Sequence, residues 1–303
     1  MSRRGVVLFA VMCVIWGIPY LLIREAVRDL SPATLVLVRT SGAAILLVPL
    51  ALARREVAPA VRRLLPVLAF AAVEIAVPWV LLSSGEKRIT SSLTALLIAA
   101  TPLVSAVIAR TTGKRERLGP ASLAGLLLGL GGVAALVGFD LGGVSGVGVA
   151  EVCGVAVCYA AGPAILARYL AGVPALGVLA VSLTVSAVVY APVAAFSLPD
   201  RTVSGKAIGS AVALAVVCTA LAFVFFFALI AEIGPVRATV ITYVNPAVAA
   251  SLGVGLLDEP FTTGMGVGFV FILVGSVLAT LRRGQAADAR EGRARSVTSS
   301  AVP

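Results

Sequence analysis

Runs of about 20 apolar residues, each cut off by a charge, a proline or a glycine, recur along the whole chain. By sequence they occupy 5–23, 34–53, 64–83, 91–110, 120–138, 146–170, 176–197, 206–230, 236–256 and 263–281. A helix needs ~20 such residues to cross a hydrocarbon core, so the ten runs predict ten crossings joined by short loops. Only helices and closed barrels satisfy every backbone N–H and C=O in lipid. Apolarity that continues without strict alternation rejects the barrel. The fold class read from the sequence is therefore an all-α membrane protein with ten transmembrane helices.

Composition excludes the soluble classes. Hydrophobic side chains make up 60% of the 303 residues and charged ones 13%, against roughly 45–50% and about 25% in a soluble domain. There is no histidine, and Cys13, Cys153, Cys158 and Cys218 all fall inside apolar runs without paired ligand spacing. Zinc-hydrolase, histidine-base and disulfide-scaffold chemistry have no residues to act through; no metal and no cofactor is expected. The net charge of +10 is not arranged as a basic groove interleaved with stacking aromatics, so no nucleic-acid partner is expected.

Orientation follows from the loops. Sixteen of the 24 basic residues fall on the side that holds the N-terminus and six on the other, while Arg39 and Arg237 lie within runs. The positive-inside bias then puts both termini in the cytoplasm of a multi-pass protein of the cytoplasmic membrane. The first run follows Ser2-Arg3-Arg4, exceeds a secretory signal in length and lacks a small-residue cleavage site, which reads as a retained signal anchor. Residues 284–303, rich in Arg, Ser and Ala, read as a disordered cytoplasmic tail that can lie against anionic lipid.

The chain also repeats itself. A shift of 144 positions lays Pro19 on Pro163, Arg24 on Arg168 and Pro102 on Pro246; a shift of 143 then lays Gly125 on Gly268 and Gly132 on Gly275. The halves are 5–138 and 146–283. Each holds five runs, an odd number, so the second half enters the membrane from the opposite face. Two inverted five-helix repeats of this kind build secondary transporters, with the substrate site near the midplane between them.

Particular residues carry a family likeness. Gly234-Pro235-Val236-Arg237-Ala238, Tyr243-Val244-Asn245-Pro246, Leu256-Leu257-Asp258-Glu259-Pro260 and the glycine-rich last run resemble the end of an EamA-type member of the drug/metabolite transporter superfamily. Trp16-Gly17 in the first run and Arg39 in the second fit the same pattern, and the likeness extends from about residue 5 to 283. It implies ten helices in two EamA repeats and a carrier that exports amino acids, metabolites or toxic compounds. The second repeat departs from it at Ala160-Ala161, where Trp16-Gly17 would recur.

Ionisable groups inside a span cost on the order of 2.5–3.5 kcal/mol at its centre, so each is a candidate for function. Glu74 lies about midway along the third run between Val73 and Ile75. A carboxyl there can take up and release a proton, as a proton-coupled exporter requires; equally, it can stay protonated or hold helices together as an ion pair. Arg39, about 7 Å inside the second run, can attract a substrate carboxylate, pair with Glu74 or Glu151, or snorkel outward. Glu151 stands at a similar depth in the sixth run, and Arg237 reads as an interfacial anchor.

In the ninth run Thr239, Thr242, Tyr243 and Pro246 share one helical face, and Asn245 precedes the proline. Pro246 and its counterpart Pro102, with Thr101 before it, each remove a ladder bond, which predicts two kinked helices lining a central path. Trp16 and Tyr159 are candidates for its wall, whereas Tyr20 and Trp79 fit interfacial positions. Gly125-x3-Gly129 and Gly264-x3-Gly268 are small-residue helix contacts that serve either internal packing or a homodimer. Under the repeat Arg39 meets Leu183, Glu74 meets Cys218 and Asn245 meets Thr101: the scaffold recurs and the polar groups do not.

The function that fits is a secondary carrier of a small-molecule substrate by alternating access, driven by a gradient because no Gly-x4-Gly-Lys-Ser/Thr loop is present. A non-transporting membrane scaffold or receptor is the alternative. An intramembrane enzyme lacks its groups, since no run contains aspartate and histidine is absent.

Overall fold

The computed structural model describes residues 2–111, 120–138, 145–197, 202–234, 238 and 240–278, and among these the chain is helical with no strand. Seven helical segments are long and apolar enough to cross a membrane: Arg3–Ala26, Pro32–Ala53, Leu64–Gly85, Ser91–Ile108, Gly146–Tyr169, Ala175–Ala195 and Gly205–Ile233. Three shorter apolar helices, Leu123–Ala135 within Pro120–Gly138, Ile241–Leu257 and Thr263–Leu278, occupy the fifth, ninth and tenth runs. Large apolar side chains such as Ile45, Leu65, Leu130 and Val188 stay exposed on the outer faces. That much bare apolar surface calls for lipid as the surrounding solvent.

Local chemistry sets the helix starts. The side-chain oxygens of Ser2, Ser31, Thr90, Ser145 and Ser204 each accept the backbone N–H three residues on, satisfying one of the donors that a helix leaves open at its first turn. Pro32 follows its cap directly, where its missing N–H costs nothing. The eighth helix stops at Gly234, whose φ of 84° few other residues adopt.

The packing has a symmetry under exchange of the two halves. The second helix lies along the seventh and the fourth along the ninth. The sixth packs on the third and fourth, as the first packs on the eighth and ninth; the third touches the seventh, as the eighth touches the second. The fifth and tenth helices meet in the same reciprocal way. A Cβ on Gly132 would lie 2.7 Å from the Gly268 carbonyl oxygen, and one on Gly275 would lie 2.6 Å from that of Gly125. These are the same contact with its ends exchanged, so the small-residue motifs serve internal packing here.

A second matched feature has no signature in the sequence. The third segment is π-helical over Ala71–Ala76 and the eighth over Val216–Leu221, one residue from superposition under the 144-residue shift. Each widened turn re-aims the side chains that follow it. The first turn is held from outside by the Tyr190 hydroxyl, which donates to the Ala76 carbonyl at 2.9 Å. The second is held from within by Thr219, whose hydroxyl donates to the Leu214 carbonyl at 2.8 Å.

The prolines behave less symmetrically than their spacing predicts. The fourth segment is interrupted at Ala99 and Ala100, and Pro102 is already the second residue of the helix that follows. The ninth helix runs through Pro246 unbroken. Pro19 likewise opens a new helix after Trp16–Ile18, whereas Pro163 sits inside the continuous Gly146–Tyr169. The two prolines therefore do not hold equivalent places in their helices. A proline in a first turn needs no N–H partner.

Candidate substrate path

The second, third, sixth and eighth segments converge on Arg39. Its Nε donates to the Thr219 hydroxyl at 3.0 Å, and its guanidinium carbon lies 3.7 Å from the centre of the Trp79 ring. Residue 39 is 8% exposed and Trp79 5%. Tyr20, Tyr159 and Cys218 complete its electrostatic surroundings. Thr219 lies within the π-turn of the eighth segment, which packs on the second helix. The expected pairing with Glu74 or Glu151 does not form: among the described residues the ion pairs are Arg28 with Glu25 and Arg88 with Glu151.

Glu74 projects from the other π-turn onto the sixth helix. Its carboxylate rests where Gly162 has no side chain, so closely that a Cβ there would collide with Oε2. Oε2 is enclosed and has no hydrogen-bond partner. Tyr159 feels both Arg39 and Glu74 and so lies electrically between them. On the apolar side Trp16 packs against Phe226 and Phe223, with ring centroids 4.7 and 5.8 Å apart, and Phe227 continues the cluster.

The remaining candidates fall elsewhere. Glu151 sits where the sixth helix begins, accepting from the Ser84 hydroxyl at 2.7 Å and facing Arg88 Nε at 3.3 Å. Asn245 is buried beside the carbonyls of Cys13 and Ile241; with its amide nitrogen turned toward them it donates to both, at 3.2 and 2.9 Å, and so ties the ninth helix to the first. Thr101 donates to the Ile98 carbonyl at 2.7 Å across the break in the fourth segment. Pro102 and Tyr243 are half-buried, Pro246 is buried and Thr242 is exposed. Thr239 lies outside the described residues.

Three partners of the site escaped the sequence. Trp79 is no interfacial anchor but the floor under Arg39, a cation resting on the negative face of an indole. Thr219 carries no signal, being one threonine in an apolar run 180 residues away. Tyr20, expected near the interface, is buried.

A second polar cluster links the halves at one end. Glu259 accepts from Ser91 N–H and Oγ–H at 2.8 and 2.9 Å on one oxygen, and from Ser92 N–H and Oγ–H at 2.9 and 2.6 Å on the other. Burial works against its charge, but the donors of Ser92 and Ser91 outweigh that and hold the carboxyl below its ordinary value of 4.5. Glu86 is buried nearby, and Arg24 donates to the backbone carbonyls of Glu86 and Ile89. The Leu256–Pro260 motif contained Glu259 without revealing its partner. A carboxylate at a helix N-terminus is favoured by the helix dipole and the open N–H groups there.

The comparisons agree with this geometry. The sequence profile described as the EamA-like transporter family matches residues 3–138 and again 146–281, the two halves that the packing exchanges. A solved crystal structure, 22% identical, superposes with a TM-score of 0.66 over 93% of this chain and 99% of its own, a likeness of fold. No curated protein matches the sequence. Apolar helices long enough for several crossings, an internal repeat and a profile that fits it twice lead to one assignment: the chain is a multi-span membrane protein and belongs to the EamA-like transporter family.

Proposed function

We propose that the chain is a secondary-active carrier of the cytoplasmic membrane that exports a small metabolite, amino acid or drug by alternating access. In this reading it crosses the bilayer ten times, as two inverted five-helix repeats over 5–138 and 146–283, with both termini and the tail 284–303 in the cytoplasm. The observation that carries it is the pair of π-turns, Ala71–Ala76 and Val216–Leu221, facing the junction of the halves with Glu74 on one and the Arg39 partner Thr219 on the other. Irregular helix and ionisable side chains persist inside a membrane where they line a protein-walled or watery path.

Glu74 is the coupling group. Its enclosed, unpartnered Oε2 makes the neutral acid the form suited to that contact, while opening toward water admits the charged form. The cycle thus ties proton movement to exposure of the site. The test is flux into proteoliposomes loaded with a pH-sensitive dye, screened with amino acids and cationic drugs. Wild type dissipates a proton gradient in the presence of its substrate and Glu74→Gln does not. Equal gradient dependence in both removes Glu74 from the mechanism, and no solute-dependent flux in wild type leaves the scaffold reading in its place.

A further inference from the structure

Arg39 is a cation without a counter-charge. Its Nε is occupied by a neutral hydroxyl and its face by a neutral ring, and among the described residues it enters no ion pair with a carboxylate. Among the described residues the two terminal nitrogens, Nη1 and Nη2, donate to no protein acceptor, and they are absent from the polar atoms sealed away without a partner. They are thus left without a protein partner in a residue that is 8% exposed. Uncompensated charge inside a protein or a membrane is unfavourable by several kcal/mol, and the fold spends a tryptophan, a threonine and a π-turn on keeping this one in place.

What the fixed groups leave free defines the ligand. Thr219 and Trp79 immobilise the guanidinium in plane and in rotation, so that its outer edge presents two parallel donors. That edge matches the two oxygens of a carboxylate, the bidentate geometry for which arginine and not lysine is suited. The surrounding phenols of Tyr20 and Tyr159 offer both hydroxyl and ring. Phe223 and Phe227, in ring contact with each other and Phe223 with Trp16, pack against the same core as Trp79 and supply an apolar surface for the rest of a ligand. A cationic solute would meet Arg39 as a like charge.

We propose that the free edge of Arg39 is the headgroup site for the carried solute, and that this solute is an organic carboxylate with an apolar body. This rests on the carrier reading for the word "carried" and on the geometry alone for the word "carboxylate". The repeat agrees with it, because the counterpart position holds Leu183; one charged headgroup needs one cation and not two.

The test compares acids with their own neutral amides. Binding to purified wild-type protein in nanodiscs is read by isothermal titration calorimetry, which leaves Trp16 and Trp79 in place. Phenylacetate, benzoate and hexanoate are titrated against phenylacetamide, benzamide and hexanamide, with benzyltrimethylammonium as the cation. At least one acid binds about tenfold or more tighter than its amide, the expected worth of hydrogen bonds to a charged partner, and the ammonium does not displace it. Arg39→Lys keeps a reduced preference and Arg39→Met loses it. Equal affinity of acid and amide throughout, or binding of neither, in wild type overturns the proposal with no variant needed, as does a preference that survives in monodisperse Arg39→Met. Proteoliposome flux separates the two claims: acids that bind but do not cross leave the site standing without the carrier, whereas flux without acid preference does the reverse.

Discussion

In the third segment the widened turn Ala71–Ala76 presents a carboxyl to the sixth helix; in the eighth the widened turn Val216–Leu221 presents a hydroxyl to the second. The backbone device is duplicated, down to a one-residue difference in register, and the chemistry hung on it is not. Glu74 faces Gly162, and the corresponding residue under the repeat, Cys218, lies in an apolar core with Thr219 beside it. The difference separates two demands on the same chain. Helix packing is satisfied twice over by one pattern, as the reciprocal glycine contacts of the fifth and tenth helices also show, while an asymmetric small molecule needs its charge complement only once.

The comparison breaks most sharply at Glu74. Glu74→Gln is expected to stop proton-driven flux, and Cys218→Ala, its repeat partner, to change it by less than about twofold, since a buried free cysteine behaves as a small hydrophobe. Gly162→Ala puts a methyl against the Glu74 carboxylate without replacing any titratable group. Overpacking of that kind costs about 1–3 kcal/mol of stability, and the displaced carboxylate is expected to lower flux below that of wild type. Gly209→Ala, where an added Cβ meets nothing within 4 Å, serves as the control. Equal losses at both repeat partners would mean that the asymmetry is decorative.

The packing half of the comparison predicts equality instead. Gly132→Ala and Gly275→Ala each drive a Cβ into backbone of the facing helix, and each should destabilise by about 1–3 kcal/mol. Gly131→Ala, one residue away and facing open space, should be neutral. Thermal unfolding in detergent reads all three, and a large effect in only one of the first two would argue against the exchange symmetry of the fifth and tenth helices.

A smaller effect is expected at Glu259, which joins the halves at Ser91 and Ser92. Its folded value lies below the ordinary 4.5 of a glutamate, so the unfolded chain binds the proton more readily. The stability from this carboxylate is complete above pH 4.5 and is lost as the pH falls through the lower, folded value. Glu259→Gln should cost about 1 kcal/mol at neutral pH, as loss of a helix-capping group does, and should flatten the acid limb of the stability profile. An unchanged limb would place the acid sensitivity elsewhere.

Much of the frame could be read directly from residue order. The expected run 64–83 became Leu64–Gly85, 146–170 became Gly146–Tyr169, and 34–53 became Pro32–Ala53. Apolar length and Ser/Thr caps are local properties, so they show in the sequence. The π-turns did not, because an extra residue in one helical turn needs no particular side chain. The environment of Arg39 was hidden for a different reason: its partners Trp79 and Thr219 lie 40 and 180 residues away and are ordinary members of apolar runs. The prolines misled because their spacing repeats while their place within each helix does not.

The carrier reading depends on the halves crossing the bilayer in opposite senses. Arg28 follows the first segment and Ala171 the sixth, the loops that the repeat superposes, and both positions are exposed. In a background with the four native cysteines replaced, Arg28→Cys and Ala171→Cys in intact cells should react with a membrane-impermeant maleimide at residue 28 and resist it at residue 171 until the membrane is broken. Labelling of both from the same side would contradict an inverted repeat and the carrier built on it.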